Sequence, residues 1–216
     1  MNSMSEDSIQ ERVVNNILLM YLIQKANSVG KVEDNLKLQK LVFLGQKKMI
    51  ERKIKAFSYN FFRWDKGPFS AEVNNDLTSL ASRGLVSYHR PIEVTEEGKK
   101  LLEDFEELFQ RNRHFIEVIN EILSIYATYT PEEIKAHVYN MNIFVPRLRR
   151  VMTIAEVPRG TLILFKPSDK TSKKKFSLDE AWCTTLELVL DQEAVESLRQ
   201  AYDDAKEGRV HEFRTL

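Results

Sequence analysis

Only one cysteine, Cys183, occurs among the 216 residues, so no intrachain disulfide can form and a reducing compartment is expected. Long hydrophobic runs are lacking. The most apolar stretch, Ile17 to Ile23, is far too short to cross a bilayer. Met1 to Asp7 is polar and acidic, without the basic and apolar regions of a signal peptide, so a cytoplasmic protein with no membrane partner is expected. Net charge is zero, which removes any global field directed at nucleic acid or lipid. The seven glycines are scattered and build no Walker A loop, paired-glycine dinucleotide loop or nucleophile elbow. His89, His114, His137 and His211 have no His or Cys partner at ligand spacing. His137 shares a helix face with Glu133, a pair that reads as surface chemistry more readily than as a metal site. Cys183 has Trp182 beside it and no obvious base, and reads as a packed thiol. No catalytic residue, cofactor or metal is therefore expected, and binding to other macromolecules is favoured over catalysis.

What the chain has in quantity is helical periodicity, with 43% hydrophobic and 30% charged residues. Ile9, Val13, Ile17, Met20 and Tyr21 recur at helical steps, with Gly30 as a stop. A second helix is expected from Asn35, with Leu38, Leu41, Val42, Gly45 and Met49 on one face. Gly45 costs about 1 kcal/mol there relative to Ala, so close packing against a neighbour is expected. Phe57, Tyr59 and Phe61 alternate as in a short strand, and Lys66-Gly67-Pro68 forces a turn. Ser70 caps a helix over 71–82, and two short strands flank Pro91. A long amphipathic pattern runs from Thr95 to about Tyr126, with a break near Asn112. Thr130-Pro131-Glu132-Glu133 opens another helix. Arg147 to Met152 is a basic turn or short helix; strands over 161–165 and 185–190 and a helix from Asp191 to Gly208 complete the chain. The expected fold is mainly α (α+β). A helical body spans 1–152 with a short winged-helix-like β-hairpin, and a β-β-α extension spans 153–216.

Charge is unevenly spread. Residues 143–175 carry nine Lys/Arg against two Asp/Glu, whereas 176–216 carry four against ten. A winged helix reads DNA with the helix before its wing. Here that helix offers Glu72 and Asp76, which oppose phosphate, so DNA is a doubtful partner through this element.

The segment Leu36-Lys37-Leu38-Gln39-Lys40-Leu41-Val42-Phe43-Leu44-Gly45-Gln46, followed by Trp64-Asp65-Lys66-Gly67-Pro68-Phe69-Ser70-Ala71-Glu72-Val73 and by Gly84-Leu85-Val86, resembles the Panacea-domain antitoxin family (SocA-like). It departs at Phe43-Leu44-Gly45 and at Asp65-Lys66. The resemblance implies an antitoxin of a two-gene toxin–antitoxin module, a scaffold whose extensions hold a cognate protein toxin inactive by direct contact. A second resemblance, over 189–210, is to the toxin-wrapping tail of small type II antitoxins. Val195, Leu198 and Tyr202 are its candidate anchors and Asp203 and Asp204 its acids; the same helix face could instead pack on the body. Lys37, Gln39 and Lys40 are taken as an exposed contact face of the second helix, with interior hydrogen bonding by Gln39 as the other reading. Trp64, Gly67 and Pro68 are assigned to structure. The alternative function is a winged-helix-like DNA-binding regulator or phage-associated adaptor. The toxin's identity and the oligomeric state are open.

Overall fold

The computed structural model describes residues 6–178, with side chains from Gln10 onward. The strand and acidic helix expected beyond residue 184, with Val195, Leu198, Tyr202, Asp203 and Asp204, lie outside the described residues, as does Cys183. In chain order the described elements are α1 (Glu6–Val29), α2 (Asn35–Glu51), β1 (Ile54–Lys55), β2 (Phe61–Trp64), β3 (Gly67–Phe69), α3 (Ala71–Ser82), β4 (Val86–Ser87) and β5 (Glu93–Val94). They continue with α4 (Glu96–Asp104), α5 (Glu106–Arg111), α6 (Arg113–Tyr126), α7 (Pro131–Tyr139), β6 (Asn142–Val145), β7 (Arg150–Thr153), β8 (Leu162–Leu164) and β9 (Lys174–Lys175). The fold is mainly α with small sheets, an α+β arrangement.

The first two helices form the centre. Every residue from Val13 to Ile23 is buried, Asn15 and Asn16 included, so α1 is covered on all sides instead of along one stripe. It packs against α2, α3, α4, α6 and β5. Asp34 starts α2 by accepting the Lys37 N–H at 3.0 Å, and α2 is buried from Lys37 to Gln46 except where it meets the surface at its ends. Phe43 meets Phe61 edge to face, with centroids 5.4 Å apart.

Local signals place most helix ends. Ser70 Oγ accepts the Val73 N–H, and Thr95 Oγ1 accepts the Gly98 N–H at 3.1 Å. Thr130 and Glu133 form a reciprocal capping box at α7. The long pattern toward Tyr126 breaks at Asn112, as expected, and also at Phe105. α1 ends at Val29 with Gly30 next, as expected, but without a left-handed backbone there; a Cβ on Gly30 would lie 2.1 Å from the Ala127 carbonyl oxygen, so close approach requires glycine. One glycine assignment changes. At Gly45 a Cβ would meet nothing nearer than the Phe57 ring at 3.6 Å, an ordinary contact, so the expected tight packing is absent.

Residues 154–178 belong to the body. β8 joins the hairpin of β2 and β3 in a sheet of order β3-β2-β8, and β9 pairs in parallel with β1. The boundary expected at 152 is therefore displaced: the compact unit continues to Leu178. The wing is present as β4 against β5, Val86 opposite Val94. Arg147, Arg149 and Arg150, expected in a basic turn or short helix to Met152, lie at the tip of a second antiparallel hairpin, β6 with β7, turned through a short 3-10 segment at Pro146–Leu148, and Arg150–Thr153 is its second strand.

Candidate functional site

The structure joins the segment from Leu36 to Gln46 to that from Trp64 to Val73 through polar side chains that are buried. Lys37 is 0% exposed; its Nζ donates to the Ala127 carbonyl at 2.8 Å and pairs with Glu33 at 2.9 Å. Gln39 donates Nε2 to the Ser70 carbonyl at 3.0 Å and accepts the Ser70 N–H at 2.9 Å. Lys40 Nζ donates to the Pro68 carbonyl at 2.7 Å. Gln46 does for Tyr59 what Gln39 does for Ser70, with bonds of 2.7 and 2.9 Å. These contacts correct the expectation that Lys37 and Lys40 present an exposed face, and for Gln39 they decide for interior hydrogen bonding, the other reading. They are struts from α2 to backbone groups of neighbouring segments, and a buried group of that kind left unpaired would cost about 1–3 kcal/mol.

The same device recurs elsewhere. Asn15 holds Ser58 through Oδ1 and Nδ2, and Asn112 holds Ser177 with bonds of 2.7 and 2.9 Å. This explains why the alternating segment around Phe57 and Tyr59 is extended without belonging to a sheet before Phe61: side-chain amides replace a partner strand. Its aromatic rings still point inward, with Phe57, Tyr59 and Phe61 all fully buried.

The turn at Trp64, Gly67 and Pro68 is structural in its details. Gly67 has φ +92°, and a Cβ would sit 2.8 Å from the Tyr139 ring. Tyr139 donates its hydroxyl to the Asp65 carbonyl at 2.6 Å, and Arg159 pairs with Asp65 at 3.0 Å while lying 4.3 Å over the Trp64 ring. Trp64 nevertheless stays 44% exposed. Between this turn and the start of α2 lies a cleft of about 360 Å³, lined by Gln39, Lys40, Trp64, Lys66, Phe69 and Arg90 among others. Burial lowers the pKa of Lys40 to about 7.

A second cleft of about 340 Å³ is lined by Asn15, Ser58, Tyr59, Glu72, Asp76 and Lys166 among others. There Tyr59 donates its hydroxyl to Asp76 at 2.8 Å, and burial pushes the Asp76 carboxyl up to about 6. Glu72 accepts the Asn60 N–H and pairs with Lys166. The acids on α3 that were weighed as opponents of DNA are thus partly spent on internal contacts. His137 accepts or donates a 2.9 Å bond with Tyr126, and Glu133 is used in the capping box, so the two do not meet around a shared ligand. Among the described residues no cluster of three or more His, Cys, Asp or Glu side chains could hold a metal ion. No helix among them is long and apolar enough to cross a membrane.

No family model matches the chain, and neither does any curated protein or solved structure.

The surface that sequence reasoning missed is the β6–β7 hairpin. Phe144 and Val151 are cross-strand partners on its outer face, 57% and 64% exposed, while Ile143 and Met152 turn inward. Leu148 at the tip is also exposed, beside Arg147, Arg149 and Arg150. None of these arginines has an ion pair among the described residues. The alternation Ile143-Phe144-Val145 was a signal available in the sequence; a stretch of three residues is too short to separate strand from turn without its partner.

Proposed function

We propose that the chain is the antitoxin of a two-gene toxin–antitoxin module, a Panacea-like scaffold that neutralises a protein toxin by direct contact and performs no catalysis. The observation that carries this reading is the hairpin surface, where exposed Phe144, Leu148 and Val151 adjoin three arginines without ion pairs among the described residues. Aromatic and arginine side chains around an apolar centre are the composition of interface hot spots. The buried struts of α2 add support of a different kind. They account for the Lys-x-Gln-Lys and Gly-Pro motifs as scaffold, which leaves recognition to surface elements such as this hairpin and to the acidic segment beyond Leu178.

The test is expression of the adjacent reading frame in a tightly repressed host, with and without this chain, followed by co-purification. Growth arrest by the neighbour, rescue by this chain and a stable complex are expected. Phe144→Ala with Val151→Ala should abolish rescue without loss of folding, because both side chains are exposed. A harmless neighbour, or full rescue and unchanged binding by the double variant, refutes the reading. The three hairpin arginines also favour a second reading, a DNA-binding regulator whose β-ribbon contacts phosphate. Duplex binding by the purified chain alone, weakening steeply with salt and lost in Arg147→Ala with Arg149→Ala, would establish it in place of the first.

A further inference from the structure

We infer that the cleft between the start of α2 and the β2–β3 turn binds a small phosphorylated ligand with a planar ring, of the nucleoside monophosphate class. Lys40, Lys66 and Arg90 receive the phosphate, and Trp64 flanks the ring. This site is independent of the antitoxin reading.

The argument starts from an uncompensated charge. Lys40 is 2% exposed, and among the described residues its ammonium donates only to the neutral Pro68 carbonyl. An ammonium taken out of water needs a counter-ion or gives up its proton. Among the described residues no carboxylate forms an ion pair with it. Asp34, at the start of α2, raises its pKa without forming an ion pair with it, and one of the Asp34 oxygens accepts the Lys37 N–H. Lys66 on the turn and Lys135 on α7 both lower it. The balance leaves Lys40 with a pKa of about 7, so its charge is only partly held at pH 7 and a bound anion would complete it.

The rest of the lining agrees. Lys66 and Arg90 are exposed and make no ion pair among the described residues, and the one other acid of the cleft, Asp65, is neutralised by Arg159. Trp64 and Phe69 contribute aromatic wall. The volume, about 360 Å³, lies within the range of small-ligand clefts, and few convergent polar groups on an apolar wall is their usual composition. A phosphate beside Lys40 restores its full charge, so binding takes up a proton above about pH 7.

The full chain is titrated with AMP by calorimetry at about pH 7 and about pH 8.5, in buffers of different ionisation enthalpy, with ribose 5-phosphate as the ring-free probe. Saturable binding is expected, with proton uptake and an affinity roughly tenfold lower at the higher pH, where Lys40 has lost its proton. Arg90→Ala and Lys66→Ala, both at exposed positions, should each weaken AMP and ribose 5-phosphate alike by about tenfold. Trp64→Ala should weaken AMP and spare ribose 5-phosphate. Lys40→Met should remove the proton uptake; the two exposed variants decide the matter if that protein does not fold. Absence of saturable binding, binding without proton uptake, or unchanged affinity in both exposed variants overturns the site. Equal losses for the two probes in Trp64→Ala overturn the ring assignment.

Discussion

Replacing Gln39 with Ala is the sharpest test of the strut architecture. The carboxamide is buried and exchanges two hydrogen bonds with Ser70, of 2.9 and 3.0 Å. Ala removes both partners at once; the Ser70 N–H is left unpaired, while its carbonyl keeps only the long 3.4 Å bond from the Asn74 N–H. At about 1–3 kcal/mol for the stranded N–H and about 1 kcal/mol for the other lost bond, the loss is about 2–4 kcal/mol. Helix propensity works in the opposite direction and returns only a few tenths of a kcal/mol. Ser70 is also the cap of α3, so part of the loss will appear as fraying there. A domain's whole stability is about 5–15 kcal/mol, so a central loss of ~3 kcal/mol should be plain in urea unfolding and should lower Tm by about 10 °C. Glu51→Ala, at an exposed position on the same helix, is the control and should stay within about 1 kcal/mol of the parent. If Gln39→Ala also stays within about 0.5 kcal/mol, Gln39 behaves as a surface residue and the reasoning fails.

Gly45→Ala should stabilise the protein by about 0.5–1 kcal/mol, since the added methyl meets only the Phe57 ring at 3.6 Å, while Gly30→Ala should destabilise it or prevent folding because the Ala127 carbonyl stands in the way; paired melting curves check both signs. Thr130→Ala breaks the capping box of α7 and should cost about 1 kcal/mol in denaturant unfolding. Asp76→Asn concerns pH. With a folded pKa of about 6 against an ordinary value of 3.8, the unfolded chain releases this proton first, so the group's contribution to stability falls as pH rises from about 4 to 6 and stays low above that. The amide carries no charge and can still accept the Tyr59 hydroxyl, so the variant should be more stable by about 1–3 kcal/mol near pH 7.5 and not near pH 4, as unfolding curves at the two pH values would show.

Much of the helical framework was legible before any coordinates. Ser70 and Thr130 announce the starts of α3 and α7 because a hydroxyl followed by helix-favouring residues satisfies its own backbone within one turn. The wing around Pro91 and the turn at Gly67 were legible for the same reason: their determinants lie within a few residues of one another. The hairpin of β6 and β7 was not, since its strands are short and identify one another only once paired. The assignment of 154–178 to an extension failed because β8 and β9 find their partners about a hundred residues upstream, in β2 and β1.

The candidate site divides in the same way. From the sequence alone, Lys37, Gln39 and Lys40 lie beside an apolar stripe, and lysine beside such a stripe ordinarily serves solvent. Its ammonium binds water and a backbone carbonyl with the same donors, so nothing in the residue itself says which it will meet. Only the packing of α6 and α7 and the β2–β3 turn around α2 puts the carbonyls of Ala127, Pro68 and Ser70 within reach. Local chemistry, written in neighbouring residues, determined the helices, caps and turns. The choice between a solvated lysine and a buried strut was made by distant backbone groups that come within hydrogen-bonding distance only in the folded chain.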